Sequence, residues 1–195
     1  MTERQYFALD SDMSLAAKPW YVWENKDEIL ENWRGEETQP FAGLDLKTVP
    51  KFRFDKKSDP RSLRDAYKVF VAMRLVSDRL KELFLEIDPE AFVFAPVEMD
   101  YGNFDEPGPQ FWLCDMVRLL DCVDESQSDV VYADNVPFKY YLKIKSMVVD
   151  EEKAGNAHAF RLKYSPLIQV VDEFFVERMK EERIKGFSFK NMMRN

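Results

Sequence analysis

Leu75-Val76-Ser77-Asp78-Arg79-Leu80-Lys81-Glu82-Leu83-Phe84-Leu85-Glu86-Ile87 leads through Asp88-Pro89-Glu90-Ala91 into Phe92-Val93-Phe94-Ala95-Pro96-Val97. Val76, Leu80, Leu83, Phe84 and Ile87 recur at helical spacing, and Asp78, Arg79, Lys81, Glu82 and Glu86 fill the opposite face. That periodicity predicts an amphipathic helix. Ser77 or Asp78 can cap its first turn, and Pro89 prevents its continuation. The Phe92 to Val97 run reads as a strand.

The same arrangement returns near the C-terminus. Val170-Val171-Asp172-Glu173-Phe174-Phe175 opens a helix to about Arg183, and Gly186-Phe187-Ser188-Phe189 forms a strand. Both units place an acid at the helix start and an aromatic-x-aromatic strand after it. Two helices packed similarly on one sheet are expected; a solenoid would need more repeats.

Between and before these units the chain reads mostly as short strands. Tyr6 to Leu9, Trp20 to Trp23, Phe111 to Cys114, Val130 to Tyr132, Tyr140 to Val149 and His158 to Leu162 are candidates. Lys51 to Asp55 alternates with period two and reads as an exposed strand. Asn25 and Glu28 have capping-box spacing ahead of a short helix bearing Ile29, Leu30 and Trp33, which Gly35 ends. Strands broken by a few helices, without β-α-β alternation, predict an α+β fold: a mostly antiparallel or mixed sheet with a few amphipathic helices packed on it. No Gly/Ser-rich linker divides the 195 residues, so one domain over 1–195 is expected.

Composition narrows the function. Hydrophobic residues make up 46% of the chain, which excludes a disordered polymer. No window approaches ~18 consecutive apolar residues, so no membrane partner is expected. The first residues carry no signal-peptide pattern, and a cytoplasmic protein is expected. A net charge of −8 argues against nucleic acid as partner. The excess is local: from Glu98 to Asp134 stand ten acids against one base, Arg118, a net −9. One-sign clustering fits a docking face for a basic protein, and a solvated surface is the plainer reading. Asp100, Asp105, Glu106, Asp124, Glu125 and Asp129 flank turns and are the candidate partner-binding acids.

Catalytic constellations are sparse. His158 is the only histidine, so a histidine-rich zinc site is impossible and any Ser-His or Cys-His site would need it. Cys114 and Cys122 have neither metal nor redox spacing and read as small core hydrophobes. No phosphate-binding glycine pattern occurs. Glu98 and Asp100, two apart on a strand with Asp115 and Asp121 nearby, could hold magnesium; such sites usually add a lysine or histidine, and the nearest bases are Arg118 and Lys139. No cofactor and no resident metal are expected.

Four segments in order carry a family resemblance: Leu75 to Leu83; Phe92 to Val97; Trp112-Leu113-Cys114-Asp115-Met116-Val117 with Leu120 to Ser128; and Phe160-Arg161-Leu162 with Val170 to Phe174 and Ile184 to Phe189. Together they resemble an immunity-protein family of bacterial polymorphic toxin systems, the eleventh in its numbered series. The resemblance covers Tyr67 to Met193, and the 66 residues before it match only loosely. It implies a non-catalytic antidote that binds and blocks a cognate toxin made beside it, with no catalytic residues to carry over. A cytoplasmic toxin is often a nuclease with a basic cleft, which the −9 segment suits. Two other readings stay open: an intracellular adaptor or structural subunit, and a carboxylate-metal hydrolase. A homo-oligomer remains possible under each.

Overall fold

In a computed structural model of the chain the described residues are 4–12, 21–31, 33, 35–54, 63–70, 72–102 and 108–192. In chain order the first strands are β1 (Tyr6–Ser11), β2 (Tyr21–Trp23), β3 (Lys51–Phe54), β4 (Ala66–Phe70), β5 (Met73–Ser77), β6 (Phe92–Pro96) and β7 (Glu98–Asp100). There follow β8 (Phe111–Met116), β9 (Leu119–Leu120), β10 (Asp129–Tyr132), β11 (Tyr141–Ser146), β12 (Ala159–Leu162), β13 (Ser165–Asp172) and β14 (Phe187–Asn191). The helices are α1 (Lys26–Leu30), α2 (Asp78–Ile87), α3 (Glu151–Ala154) and α4 (Glu173–Glu181). The fold is mixed α+β, as the sequence predicts. Its strands form sheets in the orders β14-β1-β13-β12-β9, β4-β5-β8-β6 and β2-β3-β7, plus a two-stranded ribbon, β10-β11.

Local chemistry explains most boundaries. Ser77 is the last residue of β5, and its hydroxyl accepts from the Leu80 N–H at 3.4 Å, opening α2. Leu80, Leu83, Phe84 and Ile87 are buried as the stripe requires, whereas Val76 lies on the strand before the helix. Other expectations need correction. Val170, Val171 and Asp172 do not begin the last helix; they end β13, which is buried along most of its length. Asn25 makes no side-chain cap on α1. Its carboxamide instead accepts from Lys51 N–H (2.9 Å) and donates to Val49 C=O (3.0 Å), tying the helix to β3. β3 is the middle strand of its sheet, with Phe52 and Phe54 fully buried, so it is not an exposed strand. Trp20 lies outside the described residues.

The two look-alike units sit on two different sheets, and their match is deeper than a shared pattern. In one, Ala66, Tyr67 and Lys68 pair with Val76, Leu75 and Arg74, and the register slips after Lys68. In the other, Ala159, Phe160 and Arg161 pair with Val171, Val170 and Gln169, and the register slips after Arg161. Each hairpin feeds a helix whose cap, Ser77 or Asp172, accepts from the N–H three residues on. Each helix returns to a strand laid two places across the sheet, carrying Phe92 and Phe94 or Phe187 and Phe189. The strand between comes from elsewhere: β8 in the first unit, β1 in the second. Even the joints correspond. Asp78 N–H donates to Gln110 C=O and Glu173 N–H to Gln5 C=O, both at 3.0 Å. Val117 N–H meets Ala91 C=O, and Asp12 N–H meets Gly186 C=O. One hairpin–helix–strand plan is therefore built twice, with its middle strand supplied after the unit once and before it once.

The two copies grip each other reciprocally. Asp88, ending α2, accepts from His158 and Ala159 N–H at the start of β12 (2.9 and 3.2 Å). Lys185, following α4, accepts from Ala66 N–H at the start of β4 (3.2 Å) and donates its own N–H to Asp65 (2.9 Å). Arg74 and Gln169, equivalent positions, hydrogen-bond across the seam, and burial lowers the Arg74 guanidinium to about 10. Alternation along the strands sends Val76, Cys114, Ala159 and Val171 to a middle core shared by both helices. There Phe84 stacks on Phe92 at 4.3 Å and lies 5.4 Å from Phe175. The opposite face of the four-stranded sheet (Tyr67, Leu75, Phe111, Leu113) packs on β3 aromatics. The opposite face of the five-stranded sheet (Tyr6, Phe160, Leu162, Val170) packs on Cys122, Tyr141 and Met147 beneath the ribbon.

Candidate partner-binding face

The acidic segment does not form one surface. Glu98 and Asp100 lie on β7, at the edge of the three-stranded sheet. Glu98 pairs with Lys51 across the parallel register at 3.1 Å, and Asp100 accepts from Gly102 N–H at 2.7 Å. Asp105 and Glu106 lie outside the described residues. Asp115 sits within β8, 2% exposed. One of its oxygens takes the Phe41 N–H at 2.7 Å, in a turn where Phe41 and Ala42 both have left-handed φ of 53°. The other oxygen is buried without a hydrogen-bond partner among the described residues. Burial raises the Asp115 carboxyl above its ordinary range, and nearby Arg161 opposes that shift.

The remaining acids gather around the ribbon. Asp124 closes its own turn by accepting from Ser126 and Gln127, and Asp129 pairs with Lys145 at 3.2 Å. Glu125 has the most elaborate setting. It is hydrogen-bonded and ion-paired to Lys139, and accepts from Tyr132 and Tyr141 hydroxyls at 2.5 and 2.6 Å. Those contacts, Lys139 first, hold its carboxyl at about 2. Asp121 accepts from the Tyr164 hydroxyl at 3.0 Å and faces Lys163 at 3.8 Å. Of the four carboxylates considered for magnesium, Glu98 and Asp100 share β7 while Asp115 and Asp121 lie elsewhere, and among the described residues no three His, Cys, Asp or Glu side chains gather to hold a metal. Both cysteines are buried free thiols, in different cores. His158 Nδ1 lies 2.7 Å from Asp172, the carboxylate that caps α4.

The ribbon itself is conspicuous for a reason the charge pattern does not show. Of the large apolar side chains exposed among the described residues, Tyr132, Phe138 and Leu142 all belong to β10, β11 or their connection, and Phe138 and Leu142 are 63% and 67% exposed. Tyr141, next to Leu142, is by contrast buried and roots the ribbon in the core below, where its N–H donates to Tyr164 C=O at 2.7 Å. Beside the Phe138 turn lies a groove of about 770 Å³ with an apolar floor of Leu119, Tyr164 and Pro166 and a rim that includes Glu36, Lys139 and Lys163. These residues are scattered across the sequence, and no local pattern marks them.

Comparison with known proteins matches the chain to the model of the immunity protein family Imm11 across residues 5–194. The match takes in β1, β2 and β3 as well as the stretch from Tyr67 onward. No curated protein matches the chain.

Proposed function

The chain belongs to the Imm11 immunity protein family, and from that premise we propose that it binds and neutralises a cognate toxin domain, acting as an antidote without catalysing a reaction. The toxin is a nuclease with a basic substrate cleft, and the encounter takes place in the cytoplasm. The observation that carries the reading is the family match across residues 5–194; the net −9 between Glu98 and Asp134, in a chain whose other residues nearly balance, supports a basic partner. Such a field draws a basic surface inward before contact is made. Glu98 and Asp100 share the edge strand β7 but Asp115 and Asp121 lie in other settings, and that separation supports binding over magnesium-dependent hydrolysis, since a metal site needs its ligands convergent.

The test pairs the purified protein with the toxin domain encoded beside it. The protein alone should leave nucleic acid intact, and it should abolish cleavage by the toxin at near-equal molar ratio. Hydrolysis by the protein itself that disappears with Glu98→Gln or Asp100→Asn would overturn the reading. Charge steering has its own signature. Reversing Asp124 and Asp129 to lysine together should lower the association rate and flatten its salt dependence. Steered encounters approach about 10⁸ M⁻¹s⁻¹ at low salt and lose much of that gain when the Debye length shrinks to about 10 Å at 0.1 M. Equal rates across a salt series would detach these acids from binding.

A further inference from the structure

We propose that the groove beside the Phe138 turn is where the toxin docks, and that it receives a toxin segment bearing an arginine or lysine next to an aromatic or aliphatic side chain; the proposal rests on the antidote reading above. Two independent features point there. The first is apolar: Phe138 stands 63% exposed at the mouth of a groove of about 770 Å³ floored by Leu119, Tyr164 and Pro166. Exposed apolar side chains lining a concavity are the usual mark of an interaction site, and aromatics in such places carry much of the binding energy.

The second feature is the distribution of charge around the rim, which selects the partner. Both rim lysines are already matched. Lys139 is committed to Glu125 and lies 4.2 Å over the Tyr164 ring, and Lys163 faces Asp121 at 3.8 Å. Glu36 is exposed; its carbonyl oxygen accepts from Gln39 N–H at 2.9 Å, and its carboxylate has no hydrogen-bond or ion-pair partner among the described residues. Neighbouring Glu37 accepts from buried Arg161 at its carbonyl oxygen, 2.9 Å, and its charge favours the charged form of that guanidinium. The groove therefore offers an apolar floor beside the Glu36 carboxylate, which is uncommitted among the described residues. That combination accepts a long cationic side chain, whose methylene stem covers apolar surface while its head meets the acid. The acids around Asp124 are internally engaged, so they shape the approach field while Glu36 is available for contact.

The experiment measures affinity for the purified toxin domain from the adjacent gene, by interferometry, with four proteins: unmodified, Phe138→Ser, Glu36→Lys and Phe174→Ser. Phe174 is another exposed aromatic, on α4, and serves as the control. Phe138→Ser should weaken binding about tenfold or more, as loss of an interface aromatic does. Glu36→Lys should also weaken it, and Phe174→Ser should leave it unchanged. All four should melt alike, since each altered side chain is exposed. Unmodified protein that binds and neutralises the toxin, with Phe138→Ser and Glu36→Lys binding equally well, would overturn the groove and leave the antidote reading standing. Absence of binding by the unmodified protein would overturn both. Equal loss from Phe174→Ser would place the contact elsewhere. If sedimentation shows self-association that Phe138→Ser removes while toxin affinity is unchanged, the groove joins copies of this chain and the proposal falls.

Discussion

Gly186→Ala tests whether the two copies of the folding plan meet as tightly as their hydrogen bonds imply. Gly186 has φ of +117°, a conformation L side chains rarely adopt, and a Cβ there would lie 2.4 Å from the Ala66 carbonyl oxygen. That oxygen belongs to the backbone of β4, so no rotamer change relieves the clash. Either β4 withdraws or the 185–187 segment does. Withdrawal would break the bonds from Asp65 and Ala66 N–H to Lys185 C=O, at 3.1 and 3.2 Å, and the 3.1 Å bond from Asp12 N–H to Gly186 C=O. The left-handed backbone costs a non-glycine residue about 1–2 kcal/mol, and each lost hydrogen bond about 1 kcal/mol. A total of about 4–5 kcal/mol follows, and at about 2–4 °C per kcal/mol for a chain of this size the melting temperature should fall by about 10 °C or more. Gly155 supplies the comparison: its φ is +55° but a Cβ would meet nothing within 4 Å. Gly155→Ala should show the backbone cost alone. The assay is thermal and urea unfolding of both variants, and equal destabilisation would refute the role of the seam.

Two further outcomes follow from the packing and the ribbon. Leu83 is 5% exposed in the middle core, so Leu83→Ala should cost about 2–5 kcal/mol in urea unfolding; unchanged stability with lost toxin binding would make the stripe a docking face instead. Glu125, whose folded carboxyl is lowered from an ordinary 4.5 to about 2, contributes stability that is present above the unfolded value and disappears as pH falls through the folded one. The urea midpoint gap between the unmodified protein and Glu125→Gln should therefore narrow between pH 6 and pH 2, and a gap that widens would contradict the assignment.

The sequence revealed some of this directly. The α2 stripe, its Ser77 cap and the Phe-x-Phe strands were legible because they depend on neighbours within a few residues. β13 was hidden because a central strand covered on both faces loses its alternation and reads as a plain apolar run leading into a helix. Asn25 misled because its carboxamide answers to Lys51 and Val49, far away in the sequence, and not to the helix it precedes. The repeated unit was visible, but its placement on two sheets depends on β8 and β1, which no local pattern assigns. The acids were easy to count, whereas their commitments to Lys51, Lys139 and Lys145 are properties of the folded chain. Phe138, Tyr164 and Glu36 share a groove only because the ribbon folds over the β12–β13 turn.

The order in which the middle strands are supplied has a consequence for how the protein comes into being on the ribosome. The first unit, from Ala66 to Met116, contains its own β8 and can close as soon as that stretch has emerged. The second cannot. β1 leaves the ribosome well before its partners β13 and β14 are synthesised. Until then residues 6–11 wait as an unpaired, partly apolar strand, and such long-range pairing is the slow part of folding. The ribbon and its groove rest on the core that β1 helps to complete, through Tyr6 and Phe160. The early unit thus precedes the other half as a template, and the core beneath the groove closes only when β13 has been made.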